Sequence, residues 1–229
     1  MWKAKVFTLY PEFFPGPLGA SLYKKAQDNK LWSLEVINIR DYAKDKHKTV
    51  DDTPFGGGSG MLMRADVLSE SLDKNINNNN ESIIYLSPKG KKFDHIYAKK
   101  ILEKNVNIIC GHFEGIDQRL LETRNIEEVS IGDFVLSGGE VGAFVLIDTI
   151  VRLIPGVLGN FSSLAEETFE KNLLEYPQYT KPQKWEGKEV PNVLLSGDHK
   201  KIKDWRLAQS EDITRRRRPD LWKKYKKKK

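Results

Sequence analysis

The chain has 229 residues, of which 39% are hydrophobic, enough for an ordinary globular core. Because a typical domain has about 150 residues, this length suggests one main domain and an appendage. A single cysteine, Cys110, excludes a disulfide framework and a cysteine zinc site, and it fits a reducing cytosol. No signal-peptide core is present, and Asp148 and Arg152 interrupt the longest apolar run, residues 141–154. We therefore expect a cytoplasmic protein that does not span a membrane.

The net charge of +6 is unevenly distributed along the chain. Residues 201–229 contain thirteen Lys and Arg against four Asp and Glu, a net charge of +9, whereas the first 200 residues carry a net charge of −3. A basic segment of this kind attracts polyanions at long range, above all nucleic acid. For the terminal lysines, residues 223–229, a solvated disordered tail is the alternative.

Up to about residue 158 the chain alternates strand-like and helical patterns. The strand-like segments are residues 4–9, 33–39, 82–86, 106–110 and 127–129. Helical spacing of apolar residues follows two of them, at residues 18–28 and 93–104. Strands separated by helices predict an α/β domain whose mainly parallel sheet has helices on both faces.

Three loops with glycine or proline follow three of these strands, at residues 86–90, 110–117 and 130–139. Ligands of parallel sheets bind at the loops that leave the carboxyl ends of the strands, so these loops predict a pocket. The third loop, "SIGDFVLSGG", contains no lysine, and its nearby ionic groups are Asp133 and Glu140. It is therefore not a phosphate cradle of the P-loop type, and we do not expect an anionic ligand.

Two further regions have a different character. Residues 41–64 have no clear period, and a structureless stretch of that length is often a lid or binding loop. After Gly159 we predict a linker at about residues 160–175, followed by a smaller helical domain. Its helices are predicted to open near residues 196–198 and around residues 211–218.

The first of these C-terminal helices combines apolar and basic residues. Ile202, Trp205 and Leu207 are predicted to point inward. The residues predicted to point outward are Lys200, Lys201, Lys203 and Arg206. A basic helix of this kind is suited to lie along a phosphate backbone.

Nine stretches, distributed over the whole chain, carry a resemblance to one family. They are "LYPEFF", "DDTPFGGGSGMLM", "YLSPKG", "CGHFEGIDQR", "EEVSIGDFVLSGGE", "IDTIVRLIPGVLGN", "YPQYTKP", "VPNVLLSGDHKKIKDWR" and "RRRPDL". In this order and spacing the chain resembles the bacterial tRNA (guanine-N1)-methyltransferases of the SPOUT superfamily.

The resemblance implies an S-adenosylmethionine-binding SPOUT domain with a trefoil knot at residues 1–159, a flexible linker at 160–175 and a helical tRNA-binding domain at 176–229. It also implies a homodimer whose active sites are shared between the two chains. The implied substrate is the guanosine immediately 3′ of the anticodon, preceded by another G. Chain topology alone would not predict the knot, because threaded chains are rare.

The resemblance also implies the residues of the cofactor pocket and of the substrate sites. The cofactor pocket would comprise Leu86, Ser87, Pro88, Gly111, Phe113, Glu114, Ile131, Gly132, Asp133, Phe134, Val135, Leu136, Gly138 and Gly139. The target guanine would be held by Asp51, Asp52, Gly56, Gly57, Gly58 and Gly60, and the tRNA backbone by Lys200, Lys201, Lys203, Arg206, Arg215 and Arg216. Without the resemblance, Phe113, Phe134 and Leu136 could equally be core residues. The competing interpretation of the glycines at residues 56–60 is a mobile loop.

The chemistry requires a base, because N1 of guanine carries a proton at neutral pH, and a cation or donor near O6, where negative charge develops. By resemblance the cation is Arg152, and the position of the family's linker aspartate is occupied by Glu167. Glu166 is the neighbouring candidate, although a capping box formed with Ser163 would explain it equally well. The histidines have no zinc spacing, so no metal site is predicted. Mg²⁺ could share the O6 charge with Arg152, but the sequence does not establish a requirement for it.

Single residues of the second loop have simpler interpretations. His112 is expected at the pocket wall or on the surface, and Cys110 as a buried, unactivated thiol.

Two other functions stay open: a SPOUT methyltransferase that acts on another RNA position, and a non-catalytic RNA-binding protein.

Overall fold

The computed structural model describes residues 1–76, 81–158, 169 and 171–228. The chain forms two compact units, Met1–Gly159 and Asn160–Lys229. Most of the predicted linker lies outside the described residues.

Seven strands lie in the described part of the first unit. Their bounds are β1 (Trp2–Thr8), β2 (Trp32–Asn38), β3 (Asp51–Asp52), β4 (Leu62–Met63), β5 (Ser82–Lys92), β6 (Val106–Ile109) and β7 (Glu127–Ser130). Five of them form a parallel sheet in the order β2-β1-β6-β5-β7, and β3 and β4 form a separate antiparallel pair. The predicted parallel sheet is confirmed, whereas the knot stays a prediction.

Helices cover both faces of this sheet. Their bounds are α1 (Ser21–Asp28), α2 (Ala65–Asn75), α3 (His95–Leu102), α4 (Gln118–Thr123) and α5 (Glu140–Leu153), with 3₁₀ turns at Pro11–Phe13, Gly16–Gly19 and Ile39–Tyr42. Because neighbouring side chains of a strand point to opposite faces, Val6 and Ile108 pack with α1, α3 and α5, whereas Phe7 and Ile109 pack with α2 and α4. The α/β prediction with helices on both faces is confirmed.

Strand β5 is longer than predicted. Residues 82–86 were expected to form it, but it continues to Lys92, with a shift of register against β7 between Leu86 and Lys91. Pro88 suggested an end to the strand, because proline cannot donate a ladder hydrogen bond. The irregularity accommodates the proline and keeps the loop "LSPKG" beside β7.

The described part of the second unit contains three helices, one short hairpin and an irregular segment at residues 171–183. Its helices are Asn192–Leu195, His199–Arg217 and Pro219–Lys228. Lys184–Trp185 pairs with Lys188–Glu189, so the expectation of an all-helical domain is corrected at this point. The turn residues Glu186 and Gly187 both have positive φ, at 49° and 76°, which is the backbone of a two-residue hairpin turn.

The main helix of this unit differs from the prediction in two respects. His199–Arg217 is one continuous helix, so the separate helix predicted at residues 211–218 is wrong. Leu207, predicted to point inward, is 44% exposed, whereas Arg206, predicted to point outward, is half-buried. The buried face follows the helical spacing of Ile202, Arg206, Ser210 and Thr214, and Leu207 lies off that stripe.

The terminal lysines continue the helical structure. The helix Pro219–Lys228 includes all but the last of them, so the alternative of a disordered tail is not supported for the described residues. Leu221 is its buried anchor. None of the described helices combines the length and the apolar character that crossing a bilayer requires.

Candidate active site

A cavity of about 310 Å³ lies where the three predicted loops meet, at the carboxyl ends of β6 and β7 and beside the irregular middle of β5. Every residue predicted for the cofactor pocket lines it except Asp133, which is exposed. Sequence reasoning did not select the neighbouring lining residues Tyr85, Lys89, Gln118 and Glu128. Tyr85 and Glu128 lie inside strands, where an apolar or alternating pattern gave no indication of a role.

The backbone closes the floor of the cavity. The Gly139 N–H donates to the Gly111 carbonyl at 3.0 Å, so the loop after β6 contacts the start of α5 directly. A Cβ atom on Gly139 would lie 2.5 Å from the Cα of Cys110, a separation that real Cβ atoms do not show. Glycine is therefore required here for close approach of two backbones.

The buried carboxylate of Glu140 is hydrogen-bonded next to this backbone contact. Glu140 is 2% exposed; the Thr8 hydroxyl donates to its Oε1 at 2.5 Å, and His112 Nε2 lies 2.8 Å from its Oε2. The Tyr10 ring packs edge-on against His112 at 4.8 Å between centroids. Of the two positions expected for His112, the pocket wall and the surface, the structure shows the pocket wall, where Glu140 holds the ring. Sequence reasoning missed this role of Glu140, for which a carboxylate in the first turn of an apolar helix was the available signal.

Cys110 lies at the end of β6 and is fully buried. Burial raises the pKa of its thiol well above the ordinary value, and the nearby Glu140 carboxylate raises it further. The thiol is therefore protonated at neutral pH, in agreement with the predicted unactivated cysteine. Burial likewise raises the pKa of the Tyr85 phenol at the cavity wall, with a smaller effect of Glu128.

Apolar side chains at the mouth of the cavity are exposed. Phe113 is 48% exposed, Phe134 53% and Val135 84%, so core packing does not explain them. Phe113 also has a φ of 57°, in the left-handed region that is unfavourable for a bulky residue. Strain of this kind persists where the surrounding structure imposes it, as it does at binding sites.

The apolar exposure continues along one face of α5. Val141 and Val145 are 51% and 44% exposed, one helical turn apart, and Arg152 lies on the same face in the last turn. Near that end, Tyr23 donates to Asp148 at 2.5 Å. Burial raises the pKa of Tyr23 to about 12, helped by Asp148 and opposed by the charge of Arg152.

Arg152 is not brought to the cavity of its own chain. It comes ten positions after Gly142, the last residue of α5 that lines the cavity, which at 1.5 Å per residue places the two about 15 Å apart along the helix. Glu167 and Glu166, the candidates for the base, lie outside the described residues.

The predicted guanine loop runs beside the cavity. The Glu114 N–H donates to the Met61 carbonyl and the Met63 N–H to the Gly115 carbonyl, both at 2.9 Å. Asp51 and Asp52 form β3, which pairs with β4 next to these contacts. The loop glycines are exposed and have positive φ; they are Gly56, Gly57, Gly58 and Gly60.

The predicted basic residues all lie in the second unit. Lys200, Lys201 and Lys203 are exposed, and the Asp198 carboxylate caps their helix by accepting from the backbone N–H groups of Lys200 and Lys201. Arg215 and Arg216 are exposed and pair with Asp212. These five side chains are solvent-exposed, whereas Arg206 is half-buried.

A parallel α/β sheet with a glycine-lined cavity at the carboxyl ends of its strands is typical of proteins that bind a nucleoside-containing ligand. The chain belongs to the tRNA (Guanine-1)-methyltransferase TrmD family, whose sequence profile matches residues 2–224. A tRNA (guanine-N(1)-)-methyltransferase of Pelagibacter ubique is 68% identical over 228 residues, which cover 99% of this chain and 100% of the relative. A relative of the same name from Mesorhizobium japonicum is 55% identical over 222 residues, which cover 96% of both chains.

Proposed function

We propose that this protein transfers a methyl group from S-adenosylmethionine to N1 of the guanosine immediately 3′ of the anticodon in tRNA. The observation that carries the proposal is the glycine-lined cavity at the carboxyl edge of the sheet, in a chain that matches the family from end to end. Relatives that cover almost the whole chain bear the corresponding name, and they support the same reaction.

The residues of the cavity fit S-adenosylmethionine. When bound, this cofactor supplies an electrophilic methyl group on a sulfonium cation, attached to an adenosine without phosphate. Leu86, Phe134 and Leu136 provide apolar walls for a ring, and the close-packed backbone at residues 131–139 provides N–H and C=O groups. Glu114 and Glu128 line the cavity, and Lys89 is the only Lys or Arg among its described lining residues. The charge balance thus favours a cationic ligand over a phosphate.

The proposed base is Glu167, with Glu166 as the adjacent alternative. Guanine N1 has no free lone pair in the plane of attack until its proton is removed, and a carboxylate within hydrogen-bond reach performs this step. Glutamate carries the same acid–base group as the family's aspartate on a side chain one methylene longer. The loop with Asp51 and the glycines would hold the extruded guanine, because a base that undergoes chemistry has to leave its stack.

We further propose that the protein works as a homodimer. Arg152 lies about 15 Å along α5 beyond Gly142, the last residue of this helix that lines the cavity, so we infer that it stabilises the developing O6 charge in the cavity of a second copy. The exposed Val141 and Val145, on the face of α5 that also carries Arg152, provide the apolar surface for such a contact. A two-fold interface uses the same patch on both subunits, which this arrangement satisfies.

Two measurements test the proposed function. A calorimetric titration of the purified full chain with S-adenosylmethionine should show one binding site per chain. Tritiated methyl groups should then appear in an unmodified tRNA transcript that carries G at the predicted position and before it. RNA binding without cofactor binding would instead support a non-catalytic RNA-binding protein.

A further inference from the structure

The second unit contains a cavity of its own, which the proposed chemistry does not use. It has a volume of about 460 Å³ and lies between the segment of residues 176–183 and the helix His199–Arg217. Pockets for small ligands range from about 300 to 1,000 Å³, so this cavity is large enough to hold a ring system. Every residue that lines it belongs to the second unit.

Aromatic rings and cations line this cavity together. The guanidinium carbon of Arg206 lies 4.8 Å from the centroid of the Tyr176 ring, and the centroids of Tyr179 and Trp205 are 6.3 Å apart with planes tilted by 54°. Tyr179 is 48% exposed, so part of its ring faces solvent at the mouth. Flat aromatic faces beside an arginine are the surface on which proteins stack unpaired nucleobases.

The polar groups indicate the charge of the ligand. Lys181 and Arg206 line the cavity, and no carboxylate does among the described residues. Arg206 Nε is buried and has no hydrogen-bond partner in the described part of the chain. Arginine is always charged and only donates, so a buried N–H of this kind calls for an acceptor from outside. A base carbonyl or a phosphate oxygen supplies one.

We propose that this cavity receives one unstacked nucleobase of the tRNA substrate, separate from the guanosine that is methylated. This inference rests on the proposed tRNA substrate and adds a second point at which the RNA is held by a base rather than by its backbone. Tyr179 and Trp205 contact the ring, and Arg206 donates to its carbonyl or to the adjoining phosphate. Because every base has an aromatic face, the site favours an unpaired nucleotide more than a particular sequence.

The first test removes one ring at the mouth of the cavity. Tyr179→Ala in the full chain should weaken binding of an unmodified tRNA transcript about tenfold, since stacking of one base has this order of effect. Tyr179→Phe, which keeps the ring, and Trp185→Ala, which removes a 62% exposed aromatic outside the cavity, should bind like the parent protein. Affinity for S-adenosylmethionine should be unchanged in all three variants.

The second test uses the unaltered protein and altered RNA, so it does not depend on how a variant folds. Abasic sites placed one at a time through the anticodon stem-loop should identify one position, other than the methylated guanosine, whose loss weakens binding about tenfold. The same abasic RNA should lose nothing further with Tyr179→Ala, because ring and base act as one contact. If the two losses multiply at every position, the proposed subsite is wrong. Absence of methyl transfer by the parent protein would instead refute the proposed function itself.

Discussion

Gly139→Ala tests whether the floor of the cavity depends on contact between two backbones. Gly139 has φ −77° and ψ −13°, an ordinary helical conformation that alanine adopts without strain, so only the added Cβ matters. That atom would lie 2.5 Å from the Cα of Cys110, 3.0 Å from the N of Gly111 and 3.1 Å from the C of Cys110. All three are backbone atoms, which cannot move aside by a change of rotamer.

The expected cost follows from this geometry. Overpacking of a close-packed site destabilises a protein by about 1–3 kcal/mol. For a chain of this size, each kcal/mol corresponds to about 2–4 °C in melting temperature. We therefore expect the melting temperature of Gly139→Ala to fall by about 2–12 °C, and its affinity for S-adenosylmethionine to fall with it, because relief of the clash separates Gly111 from α5.

Gly142→Ala is the matched control. It lies on the same helix and lines the same cavity, but its Cβ would meet only side-chain ends, the Cδ1 atoms of Leu86 at 3.1 Å and Ile131 at 3.4 Å. Its melting temperature, measured by calorimetry beside that of Gly139→Ala, should change clearly less than that of Gly139→Ala. Equal effects of the two substitutions, or an unchanged Gly139→Ala protein, would refute the close-approach argument.

Three further predictions concern the chemistry. Glu167→Gln should abolish methyl transfer in single-turnover assays while leaving S-adenosylmethionine affinity nearly unchanged. Glu167→Asp should stay active. Full activity of the Gln variant would refute the assignment of the base. Arg152→Ala should lower the rate of transfer. An equimolar mixture of Arg152→Ala and Gly139→Ala chains, allowed to exchange subunits, should be more active than either variant alone, because half of the dimers are mixed and each mixed dimer has one intact site, about a quarter of the parent number of sites. A mixture no more active than the two variants measured separately would contradict the shared site. Burial raises the pKa of the Cys110 thiol above its ordinary value. The thiol should therefore resist iodoacetamide at pH 8 in the folded protein and react after unfolding, as mass spectrometry would show. Rapid alkylation of the folded chain would contradict its burial.

Local patterns were sufficient to predict the sheet and the edge at which the cavity lies. Short apolar runs such as residues 106–110 matched buried parallel strands, and the loops with Gly111 and Gly139 followed them as predicted. The elements that sequence reasoning missed depend on pairing at a distance. The continuation of β5 past Pro88 requires β7 beside it, and the hairpin around Gly187 requires two residues with positive φ, one of them Glu186.

Side-chain positions were harder to predict than elements. Hydrophobicity predicts Leu207 inside and Arg206 outside, but the helix buries the stripe that contains Arg206. The position of Glu140 in the first turn of an apolar helix does not identify its partners, because Thr8 is 132 residues away in sequence. The distance of Arg152 from the cavity likewise becomes visible only when α5 is seen to begin at the cavity.

The position of the transferred methyl group tests the central claim most directly. After reaction with S-adenosylmethionine, primer extension on the tRNA transcript should end one nucleotide before the guanosine 3′ of the anticodon, because a methyl group on N1 blocks base pairing. A transcript with A at that position should give no stop and no incorporation. A stop at any other nucleotide, or a methyl group found on a ribose hydroxyl, would contradict the proposed reaction.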